Sequence, residues 1–263
     1  MVTAALIALA AVAVVMGITV VVSRRIGRVA VVDVAWGLMF VAVALAVAVW
    51  STDWHSWLLA GLVTVWGGRL AWHIFKRSRG HGEDPRYAAL LGDGGFSLAV
   101  RKVFLVQAFA ALVISLPLVV AGAYDVRWTW LVVLGAIVWL VGLVFESVGD
   151  AQLAAYKALP KETKPPVMDR GLWRYTRHPN YFGDACVWWG IWLAGALATG
   201  WLPGLLTVVA PIAMTYFLAF ATGARLLERT MMQRPGYPEY AARTSMFVPL
   251  PPRGEQVEPP RGE

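Results

Sequence analysis

With 263 residues, 59% of them hydrophobic and only 15% charged, the chain carries too many long apolar runs for a soluble single-core domain, and several meet the roughly 20-residue requirement of a membrane helix. The net charge of +7 would suit nucleic acid, but the basic residues sit beside the apolar runs instead of building a basic face interleaved with aromatics, which excludes that partner. One cysteine, Cys186, excludes an intramolecular disulfide framework, and four histidines without ligand spacing leave no metal site.

Seven transmembrane helices are expected, at about 2–22, 29–50, 56–76, 102–122, 128–149, 181–200 and 204–223. The first lacks a basic leader and is followed by Arg24, Arg25 and Arg28, so it reads as a retained helix and not a signal peptide. The second carries Asp33 about one turn inside its start. In the third, Trp66, Arg69 and His73 share one face, and Gly67 and Gly68 permit close approach of a neighbour. At about 1.5 Å per residue, Asp33 and Arg69 reach similar depth and could meet, as a functional pair or as an ion pair fixing helix register. The fifth span ends near Glu146 and continues amphipathically through Asp150 to Lys157. The sixth begins near Asp184, and the seventh leads into Arg225 and Glu228. Residues 1–250 read as a single all-α membrane domain, and 251–263, rich in Pro, Gly and Glu, as a disordered cytoplasmic tail.

Segments 23–28, 76–102, 150–180 and 224–263 hold 21 of the 23 Lys and Arg residues, which makes their side cytoplasmic and puts the N-terminus outside. Ionisable groups inside a bilayer are costly and usually face a bundle interior or a cavity. Asp33, Arg69, Glu146, Asp184, Arg225 and Glu228 all fall near cytoplasmic helix ends. That layer suits a soluble anionic cofactor arriving from the cytosol and an apolar substrate arriving from the bilayer.

The strongest local signal is Gly171–Asp184, where Trp173, Arg174, Arg177, His178 and Tyr181 surround Pro179 at a helix start. A helix N-terminus favours anions, and the arginines reinforce it; the alternative is an interfacial belt resting on anionic lipid. Asn180 and Asp184, four apart, share a helix face and could bond an amide, a ribose or an adenine. Tyr237 and Tyr240 could stack on a base or anchor the interface.

The run Arg177-His178-Pro179-Asn180-Tyr181-Phe182-Gly183-Asp184, with Arg225, Glu228, Tyr240 and Phe247-Val248-Pro249, resembles the bacterial steroid 5-alpha-reductase-like membrane proteins. Val32-Asp33-Val34-Ala35-Trp36-Gly37, Trp66-Gly67-Gly68-Arg69 and Gly82-Glu83-Asp84-Pro85-Arg86-Tyr87 extend the likeness over roughly residues 29–250. The resemblance implies a seven-helix bundle of a bacterial inner membrane that uses NADPH to reduce a carbon–carbon double bond conjugated to a ketone, as in 3-oxo-4-ene steroids. It implies cofactor binding by Arg79, Asp150, Lys157, Trp173, Arg174, Arg177, His178, Asn180, Tyr181, Asp184, Arg225, Glu228, Tyr237 and Tyr240, and substrate contact by Trp36 and Trp66. Catalysis falls to Asp33, Arg69 and Tyr87. The family's third-span tyrosine has no counterpart here, and Tyr87 is the nearest phenol. Isoprenylcysteine carboxyl methyltransferases share the Arg-His-Pro and Arg…Glu…Tyr patterns, so S-adenosylmethionine-dependent methyl transfer is the second reading. A non-catalytic lipid-binding protein is the third.

Overall fold

A computed structural model describes residues 1–221 and 223–253. It is 77% helical, without strands among the described residues. Among the described residues six helices are long and apolar enough to cross a membrane: Val2–Ile26, Val31–Ser51, Trp54–Ser78, Phe96–Ile114, Thr129–Lys157 and Trp201–Met231. The protein is an integral, multi-pass membrane protein. The chain divides into two compact units, residues 1–139 with 188–213, and residues 140–187 with 214–253 among those described.

The first unit begins with α1 (Val2–Ile26), which ends at Gly27 in the left-handed conformation, φ 68°, with Arg24 and Arg25 in its last turn where cations favour the helix dipole. The next helix, α2 (Val31–Ser51), is joined to α3 (Trp54–Ser78) through Thr52 and Asp53 alone. Thr52 takes φ 57°, and Asp53 caps α3 by accepting from the His55 N–H at 3.0 Å. So short a connection makes the pair antiparallel, and α2 packs against both α1 and α3. The α2–α3 contact is backbone against backbone: a Cβ on Gly37 would lie 2.5 Å from the Gly67 carbonyl oxygen, and one on Gly67 would lie 2.7 Å from that of Gly37. Gly68, expected to serve the same contact, faces open space.

Beyond α3, α4 (Pro85–Leu91) starts with proline and is capped by Asp84, which accepts from the Arg86 N–H at 2.8 Å. Just before it, Glu83 reaches back to accept from the Val29 and Ala30 N–H groups ahead of α2. The fourth predicted span is not one continuous helix. It runs as α5 (Phe96–Ala99), a π-turn over Val100–Phe104, α6 (Leu105–Ile114) and α7 (Leu116–Ala123), broken at Ser115 because Pro117 cannot donate to the preceding turn. The core of this unit is aromatic: Phe40, Trp66 and Trp188 have centroids 4.5–5.8 Å apart and no exposed surface.

The fifth span lengthens into α8 (Thr129–Lys157), so Glu146, Asp150 and Lys157 belong to one helix. The sixth is α9 (Pro179–Gly195), prolonged by a 3-10 turn at Leu197–Thr199. The seventh breaks into α10 (Trp201–Thr207), α11 (Val209–Tyr216), a π-turn at Phe217–Ala221 and α12 (Ala224–Met231), followed by α13 (Tyr237–Arg243). In the first unit Gly135 of α8 meets Gly190 of α9, and in the second Gly142 meets Gly183, each with a would-be Cβ 2.5 Å from the opposite carbonyl oxygen. Of the tail expected to be disordered, Arg253 donates its N–H to the Arg243 carbonyl at 2.9 Å. Residues 254–263 lie outside the described residues.

Gly37→Leu or Gly67→Leu should force α2 and α3 apart and lower stability by about 1–3 kcal/mol, whereas Gly68→Leu should be tolerated. Thermal unfolding of the three variants in detergent distinguishes them, and equal loss in all three would contradict the contact.

Candidate functional site

Two polar clusters stand out, one in each unit. The first is built on Asp33. Its position in the first turn of α2 was expected to bring it to Arg69, but its partners are on α4: Arg86 Nη2 lies 3.0 Å from Oδ2 and the Tyr87 hydroxyl donates to Oδ1 at 2.5 Å. Asp84, bonded to the same guanidinium at 2.9 Å, holds Arg86 in place. This bond holds the Asp84 carboxyl below the usual range. Gln107 of α6 donates to the Tyr87 oxygen at 3.1 Å. Burial, followed by the neighbouring Asp33 carboxylate, pushes the Tyr87 phenol pKa up, so it stays protonated. The result is a fixed donor phenol, oriented by a carboxylate on one side and an amide on the other.

Sequence reasoning singled out Asp33 and Tyr87 but left Arg86 and Gln107 without roles. Gln107 carries the one polar side chain in α6, an exception in an apolar run that could have flagged it. Trp36 stands half-buried with its ring edge-to-face on Phe40 at 5.1 Å, and Trp66 is wholly enclosed. Trp66 therefore packs as core, behind the more accessible Trp36. Arg79 caps the end of α3 and is exposed.

The second cluster is centred on Arg177. The local chain is held by Gly171, at φ 60°, which opens a 3-10 turn over Gly171–Arg174, and by Trp173, whose indole donates to the Gly149 carbonyl at 3.0 Å. A parallel bridge between Thr176 and Ser245 lays the chain after α13 alongside this segment. Arg177 forks onto Glu228, Nε to Oε1 at 2.7 Å and Nη2 to Oε2 at 2.9 Å, while Nη1 donates to the carbonyls of Ala241 and Thr244 at 2.8 and 2.6 Å. Burial works against its charge, but the Glu228 carboxylate outweighs it and the pKa rises. His178 Nε2 also contacts Glu228 Oε1, at 3.1 Å, and its ring stacks on Tyr181.

Arg177 and His178, expected to hold a ligand anion, are bonded to groups of the protein itself. The Arg177 donor groups are directed to protein acceptors, so it joins α9, α12 and α13 within this unit. Tyr237 directs its hydroxyl to Glu228 at 3.4 Å and Tyr240 donates to the Trp173 carbonyl, so both phenols are tied into the same joint instead of standing free to stack on a base. Burial raises both phenol pKa values.

Beside this joint, Asn180 Nδ2 donates to Asp150 Oδ1 at 3.1 Å and Asn180 Oδ1 accepts from the Tyr181 N–H. Glu146, Asp150 and Asp184 are 2%, 9% and 6% exposed, three buried carboxyl groups in one unit. Lys157, Arg174 and Arg225 are exposed.

Removing either partner of the Arg177–Glu228 pair, by Arg177→Ala or Glu228→Ala, should cost about 3 kcal/mol, and the double variant should cost less than the sum of the two. A double-mutant cycle from thermal or denaturant unfolding reads this coupling. Strict additivity would mean the pair is not a structural joint.

No curated protein matches the chain, and no solved structure does. Residues 19–244 match the family model described as protein of unknown function (DUF1295), and with most of its length inside that match the chain belongs to this family.

Proposed function

We propose that the protein is an NADPH-dependent membrane reductase of the steroid 5-alpha-reductase type, acting on a carbon–carbon double bond conjugated to the ketone of a lipophilic substrate such as a 3-oxo-4-ene steroid. The observation that carries this reading is the Tyr87 hydroxyl held 2.5 Å from Asp33 and 3.1 Å from Gln107. Conjugate reduction needs a donor that stabilises negative charge developing on the carbonyl oxygen, and a phenol kept protonated by its surroundings is suited to that task.

NADPH, when bound, supplies the hydride that goes to the beta carbon. In turnover the Tyr87 O–H turns from Asp33 to the carbonyl oxygen of the substrate, Arg86 holds the Asp33 carboxylate beside it, and the enolate takes a proton from water at the alpha carbon. The buried set Glu146, Asp150, Asn180 and Asp184 is placed in this reading beside the hydroxyl and amide donors of the cofactor, for which carboxylate and amide oxygens are acceptors by type. Lys157 and Arg225 supply exposed positive charge for its phosphates. In this reading α9, 17 residues long, is a seventh span of about 25 Å, the N-terminus is outside, and the polar helix ends lie in the cytoplasm of a bacterial cell.

NADPH should raise the thermal stability of detergent-purified protein and S-adenosylmethionine should not; a shift with S-adenosylmethionine alone would replace reduction by methyl transfer. Asp184→Ala should remove the NADPH shift. Tyr87→Phe should keep it while slowing enone reduction about 100-fold, and unchanged turnover in that variant would remove Tyr87 from catalysis. Because the folded phenol pKa lies above that of free tyrosine, turnover should show no alkaline loss around pH 10 from Tyr87 ionisation.

A further inference from the structure

The second unit contains a cavity of about 490 Å³ lined by Asp169, Arg170, Arg174, Arg243, Thr244 and Arg253, among others. Four guanidinium groups share this lining with one carboxylate, and that carboxylate is bonded to Arg243 Nη2 at 2.5 Å. Arg170, Arg174 and Arg253 are exposed and donate through their side chains to no protein acceptor among the described residues. They differ in this from Arg177, whose donor groups are directed to the protein.

The walls are fixed by hydrogen bonds in which no arginine side chain takes part. Leu172 donates its N–H to Gln152 Oε1 at 3.0 Å, Leu250 to the Tyr175 carbonyl at 3.0 Å and Arg253 to the Arg243 carbonyl at 2.9 Å. The cations are thus gathered by the fold, against their mutual repulsion, into a recess large enough for a small ligand. Guanidinium forks match phosphate oxygens in geometry and charge, and a preformed cradle reduces the ordering cost of binding.

We propose that this cavity binds a phosphate group, carried either by a soluble phosphomonoester or by the headgroup of an anionic phospholipid. The site is separate in its residues from the acid-rich Asp150–Asn180 set and requires nothing of the reductase chemistry.

The test uses the full chain. In detergent, calorimetric titration with inorganic phosphate and with glycerol 3-phosphate should give saturable binding that weakens as salt is raised, and Arg174→Gln and Arg253→Gln should each weaken it about tenfold. In nanodiscs, thermal stability is compared between phosphatidylcholine alone and phosphatidylcholine with phosphatidic acid. Saturable binding in detergent identifies a soluble phosphomonoester; stabilisation confined to phosphatidic acid nanodiscs and lost in the variants identifies a headgroup. If Arg174→Gln fails to fold, Arg253→Gln carries the comparison, because its bond to Arg243 is made by the backbone. Absence of both effects against chloride at matched ionic strength, or effects undiminished in the folded variants, overturns the proposal.

Discussion

Helices in hydrocarbon gain little by exchanging lipid for one another's apolar side chains, so their association depends on how closely the backbones can approach. Glycine sets that approach at Gly37–Gly67 and Gly135–Gly190 in the first unit and at Gly142–Gly183 in the second. The consequence for the candidate site is direct. Asp33 lies one turn before Gly37 on α2, and Glu146 lies one turn after Gly142 on α8. Spacing the helices more widely would move the very residues whose charges must be met by protein groups.

Each unit answers its acidic groups differently. Asp33 is met from α4 by Arg86 and Tyr87, on an element positioned by the capping residues Glu83 and Asp84. Because Glu83 also bonds the backbone ahead of α2, the carboxylate and the phenol that contacts it are referenced to the same stretch of chain. Glu228 is met by Arg177, His178 and Tyr237 at once. In the first arrangement the Tyr87 proton rests on the Asp33 carboxylate; in the second the donors around Glu228 hold the segment together.

The sequence made the helical membrane class plain, because apolar runs of sufficient length have few other solutions, and it marked Gly67 as a point where a neighbouring helix could approach closely. Asp33 and Tyr87 were also legible, the first as a charge in an apolar run and the second as a nearby phenol. Their direct contact was not, since it depends on α4 folding back over a loop whose course is set by Glu83. The seven-residue recurrence of Gly135, Gly142 and Gly149 was present in the sequence, but only the structure shows carbonyl oxygens where the side chains of Gly135 and Gly142 would be. Pro117 marks the break at Ser115, whereas the π-turn at Phe217–Ala221 follows local backbone bonding that hydropathy does not sense.

The Arg-His-Pro segment shows why residue type alone misassigns such motifs. An arginine beside a helix N-terminus reads as an anion holder only while its acceptors are unknown, and Arg177 has a carboxylate and two carbonyls of its own chain. Arg174, three residues earlier in the same motif, directs its charge outward into the cavity shared with Arg170, Arg243 and Arg253. Capacity for an external anion belongs to guanidinium groups whose donors are not already used by the protein. By that criterion the exposed arginines around the chain after α13 keep a capacity for an anion that Arg177 lacks, and Arg177 contributes to it by holding that chain in place.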